Sequence, residues 1–339
     1  MKTKIERFKE IFNQIRNVKV GLYGDFCLDA YWVLDPRGSE ISLETGLQAQ
    51  AVQKQNYSLG GASNVAANIA ALNPKELKVF GIYGKDVFGK EMISQLNDIN
   101  ANTEGLVLQK DEFETYTFSK RILDGKEQSR IDFGTYNIRS KKSDDKVIEN
   151  IKNSLNELDV FVINQQVPGS ITNTEFIDEL NKIIANNPEK AFILDSRHFA
   201  GKFKKVSYKV NNHEALYLVN EENEILNEKD ELQKIGEHLF KKTNKPVFIT
   251  RGENGIIAVD QNGVYETPGI KLSGQLDIVG AGDTVFGAIA CAIGAKCSTQ
   301  ETIELANLAA AVTVQKLFQT GTANEEEILK LLTTVKTQS

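Results

Sequence analysis

The sequence predicts an α/β protein with a mostly parallel central sheet covered by helices on both faces, and three observations carry that reading. Short β-rich runs at 18–23, 79–83, 160–164, 192–195, 247–250 and 256–259 alternate with helical stretches at 62–72, 89–97, 145–158, 174–185 and 232–242. Strands alternating with helices in this way read as βαβ units and a parallel sheet. From Asp283 onward the chain turns mostly helical. Two stretches, about 31–59 and about 112–137, leave the rhythm and carry strand-like alternation, as in Thr115-Tyr116-Thr117-Phe118-Ser119-Lys120-Arg121-Ile122. They are expected to pair as a small sheet projecting from the main body. Beside a ligand crevice such a sheet makes a lid, because closing it excludes water from the reacting groups.

Length and composition narrow the class. At 339 residues the chain suggests about two ordinary domains. Apolar residues at 41% and charged residues at 25% are ordinary globular values, which excludes a disordered or collagen-like chain. The net charge of -6 argues against a nucleic-acid partner and against a polybasic membrane protein. It leaves an anionic substrate open, since backbone amides hold phosphate. Three cysteines, Cys27, Cys291 and Cys297, form no CxxC pair and read as reduced thiols of a cytoplasmic protein. Residues 1–16 have no apolar core of a signal peptide, and the longest apolar run, 285–295, is too short to span a bilayer.

The strongest motif is Asp277-Ile278-Val279-Gly280-Ala281-Gly282-Asp283-Thr284, followed directly by an apolar helix. Small residues at 280–282 allow a sharp turn that aims several amides at one spot where a helix begins. Such a nest attracts an anion and stabilises charge on a transferred phosphoryl group. Asp283 beside it is placed to take a proton from an attacking alcohol; taken alone, the motif reads first as an N-cap on a turn shaped by Gly280 and Gly282. Gly84 to Lys90 nearly spells a P-loop, but Glu91 stands where the hydroxyl for Mg²⁺ belongs. The Rossmann fingerprint lacks its third glycine at Val285. Gly60-Gly61-Ala62-Ser63-Asn64 opens an alanine-rich helix, and Asp29 follows the first strand, at the end where open α/β sheets bind ligands. Thr250-Arg251-Gly252-Glu253-Asn254-Gly255 is a turn between two strands.

Gly60-Gly61, Asn211-x-x-Glu214, Thr250-x-Gly252-x-x-Gly255 and Asp277-x-x-Gly280-Ala281-Gly282-Asp283 fall in the order and spacing of a known family. The chain resembles the ribokinase-like (phosphofructokinase B-type) sugar kinases over about 18–331. Within that family it is most similar to the heptose-7-phosphate kinases of ADP-heptose synthesis. That similarity rests on Gly24-Asp25-x-x-Leu28-Asp29-x-Tyr31-Trp32, Leu59-Gly60-Gly61-Ala62-Ser63-Asn64, Lys120-Arg121, Arg130-Ile131-Asp132-Phe133 and Ala306-Asn307-x-Ala309-Ala310.

The resemblance implies a three-layer sandwich with a small β lid, formed as one kinase domain over 1–339. It implies Asp283 as catalytic base and the amides of Gly280, Ala281 and Gly282 as anion hole. Asn211 and Glu214 would organise Mg²⁺, with Glu214 as the metal-facing carboxylate, while Thr250, Gly252, Gly255 and Asn307 would line ATP. Asp29, Gly60, Gly61 and Asn64 would hold sugar hydroxyls, and Lys120, Arg121 and Arg130 would face a phosphate on the sugar. A monovalent cation beside the backbone of 277–279 belongs to the same pattern, as does a homodimer clasped through the lid.

Departures bear on the substrate. Heptose kinases usually carry Ser-Asp-Tyr-Gly-Lys-Gly where Asn164-Gln165-Gln166-Val167-Pro168-Gly169 stands, and Asp-Pro-Lys where Asp195-Ser196-Arg197 stands. Their Glu-Ala-Pro-Val-Pro-Val lid segment reads Glu44-Thr45-Gly46-Leu47-Gln48-Ala49. Another sugar, sugar phosphate or nucleoside, or a catalytically silent sugar-binding protein, are the competing expectations. With only His198, His213 and His238, the chain is expected to lack the His-x-Gly-His nucleotidyltransferase activity of the bifunctional heptose enzymes.

Overall fold

The computed structural model describes residues 3–171, 174–220, 232–317 and 320–336. Its strands are β1 (Lys19–Gly24), β2 (Phe26–Leu34), β3 (Val52–Gly61), β4 (Glu76–Gly84), β5 (Asn102–Gln109), β6 (Tyr116–Leu123), β7 (Lys126–Glu127), β8 (Ile131–Phe133), β9 (Val160–Gln165), β10 (Ala191–Ser196), β11 (Ser207–Asn211), β12 (Val247–Thr250), β13 (Ile256–Asp260) and β14 (Gly263–Thr267). The helices are α1 (Lys4–Ile15), α2 (Ala62–Ala71), α3 (Val87–Asp98), α4 (Lys141–Ser154), α5 (Thr174–Asn186), α6 (Asn212–Asn220), α7 (Leu232–Thr243), α8 (Ala281–Gly294), α9 (Thr299–Thr313) and α10 (Glu325–Lys336).

Nine strands form the main sheet in the order β14-β13-β12-β11-β10-β9-β1-β4-β5. It is parallel from β5 to β12, and β13 and β14 add an antiparallel edge. The pleat divides its side chains between two cores. Val160 and Val162 join α1, α2, α8 and α9 on one face, while Phe161 and Ile163 join α4, α5 and α7 on the other. Both faces are therefore covered, which is why these strands read as nearly continuous apolar runs.

Strand order reverses between β1 and β9: β4 and β5 follow β1 on one side, and β10 to β12 follow β9 on the other. A crevice opens at the carboxyl ends of the strands at such a switch point. Here it falls beside Asp25 and Gln166. Across it lies α8, packed on β1, β9 and β10.

The second sheet has the order β3-β2-β6-β7, with β8 paired to β6. It reaches further into the body than 31–59, because β2 follows β1 after Asp25 alone and β3 runs straight into α2 at Gly61. Gly61 makes that corner at φ +50, and an added Cβ would meet Asp25 O at 2.7 Å. The near P-loop is a capped helix. Asp86 Oδ1 accepts from Gly89 N at 2.7 Å and its Oδ2 from Thr115 N at 2.8 Å, which fills the helix start with a carboxylate. Among the described residues no helix is long and apolar enough to cross a membrane.

Candidate active site

Helix α8 starts on Gly280, whose φ of +81 is left-handed and favours glycine. Ala281 N–H donates back to Ile278 O at 3.2 Å, so the turn itself consumes one of the three amides expected to point at an anion. Gly280, Gly282 and Asp283 have N–H groups with no backbone partner among the described residues, as a helix start requires. The nest therefore forms without Ala281.

Asp283 lies half-buried in the first turn of α8, and its Oδ2 accepts from Asn64 Nδ2 at 2.7 Å. Burial pushes its carboxyl up to about 6, opposed by the Asn64 donation and by Lys209, and reinforced by Asp195 and Asp29. One of the two N–H groups of the Asn64 amide is thereby used. Its Oδ1 accepts from Asn68 Nδ2 at 3.3 Å, and Asn68 Oδ1 accepts from Thr284 Oγ1 at 2.7 Å. Asn64, expected to face a sugar, is buried, and its amide donates to Asp283.

Asp283 opens onto a cleft of about 640 Å³ whose walls include Asp29, Gly61, Lys120, Arg130, Glu214 and Gly282. Burial raises the Asp29 carboxyl above its ordinary range, partly offset by Lys120, whose Nζ is 3.2 Å away. Gly60 stands against this carboxylate, since an added Cβ would meet Asp29 Oδ1 at 3.1 Å. Arg130 holds Asp132 with two bonds, 2.6 and 2.7 Å, and lies 4.5 Å over the Phe118 ring. Arg121 is not in this cleft. Phe118 and Lys120 line it, so the period-2 pleat turns Arg121 to the opposite face, where it bonds Ser129 and Gln50.

A second cavity of about 380 Å³ lies beyond Gly282, and its walls include Thr250, Gly252, Gly255 and Asn307. Ile270, Leu276, Ile278 and Val285 give it an apolar wall suited to a flat ring. Thr250 Oγ1 bonds Val210 O at 3.4 Å, and Asn307 Nδ2 bonds Pro268 O at 2.8 Å. Asn211 and Gly282 line both cavities. Asn211 caps α6 reciprocally with Glu214, each backbone N–H reaching the other's side chain at 2.9 Å. This fixes one carboxylate beside the junction. A magnesium ion that keeps several waters and takes one protein carboxylate plus phosphate oxygens fits such a donor set.

Sequence reading missed a buried ion pair. Lys209 Nζ lies 2.6 Å from Asp195 Oδ2, and both residues line the first cleft. Burial disfavours the ammonium, but Asp195, Glu214 and Asp283 more than offset it and hold Lys209 above the ordinary lysine range. A Cβ on Gly282 would sit 3.4 Å from this ammonium, which places it at the junction of the two cavities. Asp25 was also missed. Its Oδ2 accepts from Gln166 N at 2.7 Å and Val167 N at 2.8 Å, and burial pushes its carboxyl up to about 6. Arg197 lines the same cleft.

The three-layer body, the smaller second sheet and two cavities meeting at a glycine-rich helix start define a ribokinase-like α/β fold. The profile of the pfkB family carbohydrate kinases matches residues 27–326, and the chain belongs to that family. Bifunctional protein HldE of Aliarcobacter butzleri (strain RM4018) is 28% identical over 309 residues, covering 89% of this chain and 62% of that protein. The chain thus spans less than two thirds of the length of such relatives. Among solved structures, phosphofructokinase-2 from Escherichia coli in complex with potassium superposes with a TM-score of 0.74 at 18% identity, over 94% of this chain and 99% of that one. Ribokinase from Thermotoga maritima superposes with a TM-score of 0.68 at 18% identity, over 93% and 99%.

Proposed function

We propose that this chain transfers a phosphoryl group from ATP to a hydroxyl of a sugar or sugar phosphate, with a heptose-7-phosphate-like acceptor as the specific reading. The observation that carries it is Asp283, set at a helix start where an acceptor-sized cleft meets a second, apolar cavity. Asp283 takes the proton of the acceptor hydroxyl as that oxygen attacks phosphorus. A base with a carboxyl near 6 is ionised at neutral pH yet basic enough to help. The N–H groups of Gly280 and Gly282 and the Lys209 ammonium receive the charge that builds on the transferred group. ATP supplies that group, and Mg²⁺ spreads its charge.

Glu214, held by Asn211, provides the carboxylate for the metal's water shell. Thr250, Gly252, Gly255 and Asn307 border the nucleotide. Asp29, with Gly60 and Gly61 at its back, accepts from sugar hydroxyls, and Lys120 and Arg130 face the acceptor. Residues 1–339 act as one cytoplasmic kinase domain with the second sheet as its lid. Ile41, Leu43 and Leu47, all well exposed between β2 and β3, support pairing of two copies through that lid. A monovalent cation beside the backbone of 277–279 is consistent with the potassium complex of the Escherichia coli relative.

A second reading is favoured by one observation: Gln165 and Pro168 replace the aspartate and lysine that heptose kinases usually carry beside the cleft. A different sugar phosphate is then the acceptor. ADP release with Mg·ATP across sugars, sugar phosphates and nucleosides, heptose 7-phosphate included, tests both. Turnover highest on heptose 7-phosphate supports the specific reading. Higher turnover on another acceptor supports the second. Sugar binding without turnover of any acceptor overturns both in favour of a silent binding protein.

A further inference from the structure

We propose that Arg197 is the receptor for an oxyanion carried by the acceptor, a phosphate monoester or a carboxylate, so that the cleft selects charged acceptors over neutral sugars. The kinase reading above supplies the molecule that enters; the charge pattern of the cleft supplies the selection.

The cations lining the cleft are Lys120, Arg130, Arg197 and Lys209. Three of them are already committed: Lys120 to Asp29 at 3.2 Å, Arg130 to Asp132 at 2.6 Å and Lys209 to Asp195 at 2.6 Å. Turning any of these toward a ligand strands a carboxylate inside the cleft, which is costly in a partly desolvated site. Arg197 has no carboxylate or hydrogen-bond partner for its guanidinium among the described residues. It alone meets an incoming anion without breaking a pair. A guanidinium fork matches phosphate and carboxylate oxygens two at a time.

The platform under Arg197 is rigid. Its N–H donates to Gln165 O at 2.9 Å. Gln165 Oε1 accepts from Ser196 Oγ at 2.9 Å and from His198 N at 3.0 Å, so the residues on both sides are pinned as well. Gln165 is 1% exposed, and its Nε2 donates to Val167 O at 2.8 Å on the neighbouring loop of the rim. One buried amide thus ties together two loops that border the cleft. The backbone that carries Arg197 is thus fixed, so an incoming anion has only the exposed side chain itself to order.

The test compares wild type with Arg197→Gln and Arg197→Lys on acceptor pairs that differ only in the anion. The pairs are mannose and mannose 6-phosphate, a mannoheptose and its 7-phosphate, and glucose and glucuronate. For the phosphorylated or carboxylated member, the kcat/KM ratio to its neutral partner should fall about 50-fold in Arg197→Gln, mostly through KM, with partial recovery in Arg197→Lys. The phosphate and glucuronate arms tell the two oxyanions apart. Equal loss on charged and neutral members, or no loss, overturns the proposal. If wild type turns over no acceptor, the kinase reading fails by itself. Calorimetry with the same pairs in the absence of nucleotide then decides the receptor: tighter binding of a charged member that Arg197→Gln abolishes supports it, and no preference overturns it.

Discussion

Asn64 and Asp283 stand 219 positions apart in the chain and 2.7 Å apart in the fold, amide nitrogen to carboxylate oxygen. Helix α2 thereby aims the group that begins helix α8. Asn64→Leu removes the donor at similar volume. Because this donation lowers the proton affinity of Asp283, its loss moves the acidic limb of kcat/KM upward from about pH 6. A fall in kcat of about tenfold or more accompanies the shift. A kcat/KM profile from pH 5 to 9 with an unmoved limb would remove Asn64 from this role.

Asp283→Asn should abolish turnover by about 10³-fold or more while leaving nucleotide affinity near wild type. Its effect on stability has the opposite sign. The carboxyl titrates near 6 in the fold, against about 4 in an unfolded chain. The folded state therefore binds more protons between these values, and the contribution of Asp283 to stability is lost as pH rises through that window. Melting at pH 7.5 should show the asparagine variant above wild type, and at pH 4 the gap should close.

Lys209→Met leaves Asp195 charged and buried without its counter-ion, keeping the Gln166 Nε2 donation to Oδ1 at 3.1 Å. Breaking such a pair costs about 3–5 kcal/mol, which urea unfolding would register. Replacing both residues, as in Lys209→Met with Asp195→Leu, should recover most of that stability. Turnover should stay low in the double variant, because the ammonium is missing from the junction of the cavities. Recovery of turnover along with stability would show the pair to be structural.

Asp25→Ala strands the N–H groups of Gln166 and Val167, both of which now end on one carboxylate oxygen. The expected cost is about 2–4 kcal/mol of stability. Gln166, Val167 and Pro168 form part of the cleft wall, so KM for the acceptor rises while KM for ATP holds. Equal changes in both constants would contradict this division of the site.

What the sequence disclosed follows physical range. Strands such as Val247–Thr250 and Ile256–Asp260 were legible because their apolar runs are contiguous, and the start of α8 because glycines and an aspartate sit side by side. Interactions across the fold were not. Lys209 meets Asp195 only because β10 and β11 run parallel with Ile193 opposite Ser207, a register that no local pattern announces. The resemblance implied Asn64 as a sugar ligand, and the bonds of its side chain to Asp283 and Asn68 show only in three dimensions. Arg121 had a local signal that went unread. In a strand that places Lys120 on one face, its neighbour belongs to the other.

Of the residues that wall the two cavities, Asn211 and Gly282 are common to both. The two cavities therefore meet at Gly282, which has no side chain, with Asn211 beside it. Under the proposed kinase reading, a transferred group would pass beside Gly282, near the Lys209 ammonium. Gly282→Ala places a methyl 3.4 Å from the ammonium, at the junction of the two cavities. Such a substitution would leave both chambers intact and separately able to fill, yet cut the traffic between them.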